Sequence, residues 1–258
     1  MPEVISLGPF MIRMDWVLLA LSGGCGYIVI QWLLKRSEFR ERPVLDTLLN
    51  TLFITFLIWK FSPVLFTPSL LWTHPLGLLT MSGSLIGLWL GLAVAGWYMH
   101  RSLRRMNVSW LFVGDLLSFG FPIILMVYSL LAWQYGSTTA VPWGISIQDP
   151  DYKYHPVNIY TLIVTLPMLV WLWRKRNSLG IGYMFVNTFK YYSMGLMMVT
   201  YFKSKTNSFT GLSREQWIYV LMMALGLLLS LYITGRRGKE DFSLVGENES
   251  QHDGGTGL

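Results

Sequence analysis

Apolar residues run along this chain in seven stretches, 12–34, 44–66, 78–99, 109–133, 157–173, 179–202 and 216–235, separated by polar or charged connections. A helix needs about 20 mostly apolar residues to cross the hydrocarbon of a bilayer, so each stretch predicts a transmembrane α-helix, the fifth being the shortest. The expected fold is therefore all-α: a polytopic membrane helix bundle of about seven transmembrane helices filling residues 1–237. The remainder, 238–258, is polar, acidic and rich in glycine. It cannot bury enough apolar surface to order itself, which predicts a disordered tail.

Composition agrees with that pattern. Hydrophobic residues make up 53% of the chain and charged ones only 13%, about half the share usual in soluble domains. The first apolar run is too long for a cleavable signal sequence and follows no basic segment, so it is expected to remain as a span.

The net charge of +6 sits in short clusters between the apolar runs, where it sets topology and meets anionic headgroups. Nucleic-acid binding is not expected. The connections after runs one, three and five and the flank after run seven hold Lys35, Arg36, Arg40, Arg42, Arg101, Arg104, Arg105, Arg174, Lys175, Arg176, Arg236, Arg237 and Lys239. Only Arg13, Lys153, Lys203, Lys205 and Arg214 lie on the other side. The cation-rich side is cytoplasmic by the positive-inside rule, which predicts an N-terminus outside and a C-terminus in the cytoplasm.

An ionisable side chain within a span costs at least about 2.5 kcal/mol near the bilayer centre and so marks a candidate site. Asp15, Asp46, Lys60, Asp115 and Lys190 qualify, with Asn158 and Asn187 beside them. Asp15 and Lys60 both fall near outer ends and are candidates for an intramembrane ion pair, the alternative for Lys60 being to snorkel to the interface. Asp46 and Asp115 lie near cytoplasmic ends, where capping or pairing with a loop arginine is expected. Gly83, Gly87 and Gly91 recur at helical spacing, the pattern that lets two membrane helices approach closely.

The outer connection between runs four and five, VPWGISIQDPDYKYHPVNIY, brings His155 close to Tyr160 amid turn-forming residues. These two are the catalytic candidates. A single cysteine, Cys25, excludes a disulfide framework. The absence of HExxH, P-loop and GxSxG elements leaves no expectation of a metal or a cofactor.

Several of these stretches together resemble the prolipoprotein diacylglyceryl transferases, bacterial membrane enzymes that move diacylglyceryl from phosphatidylglycerol to the lipobox cysteine of lipoprotein precursors. ISLGPFMIR at 5–13 is similar to the family's SxGPxxIxWYG, SGSLIG at 82–87 to HGGLIG, and VGDLLSFGFP at 113–122 to ADLxAPGLP. VPWG at 141–144 with HPVNIY at 155–160 resembles PWG with HPSQLYE, and GLSREQWIYVLMMALGLLL at 211–229 resembles GLSxGQxLSxxMIxxGxxL.

The resemblance implies a multi-pass protein of the bacterial plasma membrane whose outer half, around Asp15, Lys60, Ser82, His155 and Tyr160, holds a lipid. Phosphatidylglycerol is the lipid implied, and a lipoprotein precursor or exported protein the partner. Lys60, Ser82, Asn158 and Lys203 are the expected headgroup contacts. The family's charged chemistry is largely replaced, however. Ser82 stands at the histidine of HGG, and the arginine- and asparagine-bearing GRxGNFxNxE falls on MVYSLLAWQYG at 126–136. Gly195, Thr200 and Lys203 stand at the arginine, glutamate and final arginine of YGxxRFxxEFFR. The expected function is thus that of a family member with reduced or lost catalysis. The alternatives are a non-catalytic lipid- or lipoprotein-binding accessory protein, and a transporter using Lys60 and Lys190.

Overall fold

The computed structural model describes residues 4–7, 10–37, 43–73, 77–147, 149, 151–204 and 211–253. A short antiparallel hairpin, β1 (Val4–Leu7) and β2 (Phe10–Arg13), leads into α1 (Met14–Lys35). Helix α2 (Val44–Phe66) is followed by two single turns, α3 (Leu70–Thr73) and α4 (Gly77–Thr80). Helices α5 (Leu85–Met106) and α6 (Trp110–Leu131) come next. A small antiparallel sheet in the order β3 (Tyr135–Thr139), β5 (Lys153–Pro156), β4 (Ile145–Ser146) then precedes α7 (Val157–Arg174). The sixth run is helical from α8 (Tyr183–Asn187) through a π-helical turn at Thr188–Tyr192 to α9 (Ser193–Thr200). The last helix, α10 (Arg214–Asp253), continues beyond its apolar part into the polar tail; residues 254–258 of that tail lie outside the described residues.

Five helices, α1, α2, α6, α7 and the Arg214–Gly235 part of α10, are long and apolar enough to cross a membrane. Their outer faces present large apolar side chains such as Leu52, Leu85, Trp89, Ile163 and Leu228, a surface that only lipid satisfies. Hydroxyls within the spans are satisfied internally instead. Thr51, Thr55, Ser118, Thr161 and Thr165 each donate to the carbonyl four residues back, so they need no water.

The third apolar run forms its helix later than its hydropathy suggests. Ser84 caps α5 by accepting from the Gly87 N–H at 2.9 Å, and it bonds Ser62 of α2 through both its backbone N–H and its hydroxyl. The segment before it, Met81–Ser84, is therefore non-helical. At the far end the helix continues through Arg101, Arg104 and Arg105 to a left-handed cap at Asn107.

Helix α2 lies along α5 and α1 along α6, and both contacts are built on missing side chains. A Cβ on Gly83 would lie 2.0 Å from the Trp59 carbonyl oxygen, and one on Gly87 would lie 2.1 Å from Ser62 Cβ. In the other pair, Gly26 meets Ile124 while Gly120 meets Ile30. Gly87→Ala should therefore lower the unfolding midpoint in detergent, by about 1–3 kcal/mol of overpacking. Gly96→Ala, whose added carbon meets nothing within 4 Å, is the control that should leave it unchanged.

Packing is tightest at one end of the bundle. The end of α1 (Ile30, Leu33, Leu34), the start of α2 (Val44, Leu45), the end of α5 (Met99, Leu103) and the start of α6 (Phe112, Val113, Leu116) form one buried cluster with Leu172 and Met184. The three-stranded sheet and the larger cavities lie toward the other end of α6. Neither sheet was expected of an all-α chain, because strands of two to five residues carry too little alternation to register.

Candidate functional site

Beyond the end of α6, the sheet brings His155 and Tyr160 into direct contact: Nδ1 of the histidine lies 3.0 Å from the tyrosine hydroxyl. Trp143, from the VPWG stretch, donates its indole N–H to the same hydroxyl at 2.9 Å. Phe202 closes the cluster, its ring 5.0 Å from His155 and 4.9 Å from Tyr160. With its oxygen accepting from Trp143, Tyr160 satisfies the set by donating to Nδ1. The other imidazole nitrogen then carries the proton. In that tautomer His155 offers a donor suited to a phosphate or carbonyl oxygen, not a base for a thiol.

The sheet is fastened to the chain after α9. The Ser137 N–H donates to the Phe202 carbonyl at 2.9 Å, and a Cβ on Gly136 would lie 2.0 Å from that oxygen. Glycine at 136 is what allows the approach. Asn158 secures the same corner from beneath. It is buried, its Oδ1 accepts from the Gln134 N–H, and its two N–H donors reach the Ser129 and Ala132 carbonyls, all at 2.5 Å. The whole amide thus satisfies backbone groups left over where α6 ends.

This docking opens a polar cavity of about 730 Å³ between Gln134 and Tyr135 on one side and Thr200, Lys203, Glu215 and Gln216 on the other. The positions where the resemblance puts the family's GRxGNFxNxE segment, its later glutamate and its final arginine, namely the residues up to Tyr135, Thr200 and Lys203, therefore converge on one space. Lys203 is the cation lining it among the described residues, and it is held by Glu215 at 2.6 Å. An apolar groove of about 440 Å³ adjoins, between Leu117 and Phe121 of α6, Phe185 and Phe189, and Ile218 and Met222 of α10. Glu215 lines both spaces. The buried Thr188 hydroxyl on the groove has no hydrogen-bond partner among the described residues, and Thr188 opens the π-helical turn, a local irregularity frequent at functional sites.

Lys60 and Ser82 come together elsewhere. Lys60 donates to the Met81 carbonyl at 2.7 Å, so its ammonium lies beside exposed Ser82 where the α4–α5 connection meets α2. Asp15 is exposed in the first turn of α1. Sequence reasoning passed over Glu215, Gln134 and Phe202. Nothing in the spacing of twelve between Lys203 and Glu215 announces a pair, and Phe202 reads as one more apolar residue. Trp143 was visible as part of VPWG, a short motif that said nothing of the indole's target.

Among the described residues no cluster of three or more histidine, cysteine, aspartate or glutamate side chains is arranged to hold a metal. A family model for prolipoprotein diacylglyceryl transferase matches residues 2–232. No curated protein matches the chain.

Proposed function

Because the chain belongs to the prolipoprotein diacylglyceryl transferase family, we propose that it is a multi-pass bacterial plasma-membrane protein that keeps the family's lipid site while its group-transfer chemistry is reduced or lost. Counting α5 and the Tyr183–Thr200 run with the five apolar helices gives seven crossings. The positive-inside rule then puts the N-terminus, the sheet and the polar cavity on the outer side, and the C-terminus with its polar tail in the cytoplasm.

The observation that carries the reading is the pairing of a polar cavity with an apolar groove along a common edge at Glu215. A phospholipid such as phosphatidylglycerol has that division: a phosphate and glycerol for the polar space and an acyl chain for the groove. Lys203 supplies the charge for the phosphate, with Lys60 and Ser82 as a second outer contact. Tyr135 and Thr200, in place of arginine-rich family segments, leave the cavity able to bind but poorly able to stabilise a departing phosphate. In that state the protein serves as a lipid- or lipoprotein-binding accessory.

Lys203 must exchange its carboxylate partner for the phosphate, which gives the reading a signed test. Lys203→Ala should cut retention of phosphatidylglycerol on detergent-purified protein several-fold. Glu215→Gln, which removes the competing and repelling charge, should raise it. Native mass spectrometry of lipid adducts reads both. Wild-type protein that purifies lipid-free and alone, or two variants that behave alike, would sink the proposal.

A further inference from the structure

The packed end of the bundle carries a recess that the outer lipid site does not use. It lies between the last turn of α1, Phe112 at the start of α6, and the 3₁₀ turn Arg176–Ser178 that follows α7, with a volume of about 500 Å³. That size is within the range of roughly 300–1,000 Å³ typical of small-molecule sites. Its rim is cationic and polar: Arg36, Ser37, Arg176 and Asn177 all line it.

The two arginines are held in an unusual way. Trp32 of α1 and Trp173 of α7 stack at 5.0 Å between centroids with planes 16° apart. Arg36 lies over Trp32, its Cζ 3.9 Å from the ring centroid, and Arg176 lies near Trp173 at 5.4 Å. Each guanidinium is thereby tethered to an indole by cation–π attraction. A guanidinium stacked on its face keeps its edge N–H donors available, and those donors match the oxygens of a phosphate in bidentate fashion. Among the described residues no carboxylate forms a salt bridge with either arginine. Arg176 has one of its donors on the Trp173 carbonyl at 3.2 Å, which fixes the side chain while leaving the rest of the fork free to bind.

Depth argues for a lipid over a soluble anion. Tryptophan side chains concentrate at the headgroup level of a bilayer, and Trp173 is 47% exposed beside the apolar, outward-facing Val170. Lys35, Arg174 and Lys175 add charge to the same end, and basic recesses between membrane helices are a recurrent site for anionic headgroups. We propose that this recess binds the phosphate of an anionic phospholipid headgroup from the leaflet opposite the polar cavity, with Arg36 and Arg176 as its forked contacts.

The test uses the full chain in nanodiscs of phosphatidylcholine with a minority of phosphatidylglycerol. Retained phosphatidylglycerol is counted by native mass spectrometry on a Lys203→Ala background, so that the outer site contributes equally in every sample. Adding Arg36→Ala with Arg176→Ala should weaken the remaining retention about ten- to hundredfold, as expected for two lost charge-assisted contacts. The pair Arg36→Lys and Arg176→Lys, which keeps charge and stems if the alanine pair fails to fold, should recover only part of it. Retention unchanged in both double variants overturns the proposal. A second arm offers glycerol phosphate to wild-type protein in pure phosphatidylcholine nanodiscs: no measurable binding is expected, and binding as tight as that of the lipid overturns the lipid assignment.

Discussion

Asp115→Ala is expected to lower the stability of this protein by about 3–6 kcal/mol, enough to unfold it or to strip it of defined structure in mild detergent. The side chain is fully buried in α6 and accepts three backbone N–H groups, from Gly180 at 2.8 Å, Gly182 at 2.9 Å and Phe185 at 2.8 Å. Both glycines sit at positive φ, 104° and 78°, where a side chain would be strained. The chain can turn there and enter α8 because the carboxylate collects its donors. Removing the acceptor leaves those donors buried without a partner, at about 1–3 kcal/mol for each group. Asp115→Asn is the informative companion. Its single carbonyl oxygen can replace the atom that serves Gly180 and Gly182, but its NH₂ then faces the Phe185 N–H, donor against donor. It should therefore lose roughly half as much. Chemical unfolding followed by circular dichroism ranks the three proteins, and an alanine variant as stable as wild type would remove Asp115 as the organiser of this turn.

How this turn reads in the sequence shows where hydropathy stops being informative. The sixth apolar run begins at Leu179 on hydropathy alone, yet the helix starts at Tyr183, because the intervening glycines are held by a carboxylate more than 60 residues earlier in the chain. For the third run the apolar residues Leu78, Leu79 and Met81 suggest helix, whereas the Ser62–Ser84 hydrogen bonds delay it to Leu85. Where no such long-range contact intervenes, hydropathy and fold coincide: the run at 44–66 is α2 to the residue. Gly83, Gly87 and Gly91 were legible as a packing stripe because spacing within one helix is local information.

The site divides along the same line. His155 and Tyr160 are five residues apart, and the turn-rich sequence between them suggested proximity; the structure brings them to 3.0 Å. Asn158 looked from the sequence like a polar group available to a headgroup. In the fold its amide terminates α6, a partner 24 to 29 residues away. The Lys203–Glu215 pair and the shared edge of the two cavities arise only once α9 and α10 are side by side, and no periodicity in the chain encodes that.

Purified protein is expected to transfer diacylglyceryl at no more than about one ten-thousandth of the rate of a family member with complete motifs. In the family reaction a cysteine thiolate attacks the glyceryl carbon of phosphatidylglycerol, a carbon–sulfur bond forms, the carbon–oxygen bond to phosphate breaks, and glycerol phosphate leaves with the electron pair. Anionic charge grows on the phosphate as that bond stretches, so the site must hold it with preorganised donors. Each such donor is worth about 100- to 1000-fold in rate, and at least two arginine positions of the family are occupied here by uncharged residues: the segment ending at Tyr135, and Gly195. Two donors multiply to about ten-thousandfold or more, with the usual reservation that residues acting as a unit do not add simply. Lys203 does not restore the loss, because its ammonium lacks the planar fork of arginine and is engaged by Glu215 at 2.6 Å. Proton transfer is weakened as well: Ser82 replaces the family histidine, and Tyr160 donating to Nδ1 would leave His155 with no free lone pair for the thiol. Labelled phosphatidylglycerol and a lipobox peptide in mixed micelles measure the rate directly. Turnover within tenfold of a motif-complete enzyme would mean that Lys203, Lys60 and His155 supply what the missing arginines do not, and would return the protein to the active transferases.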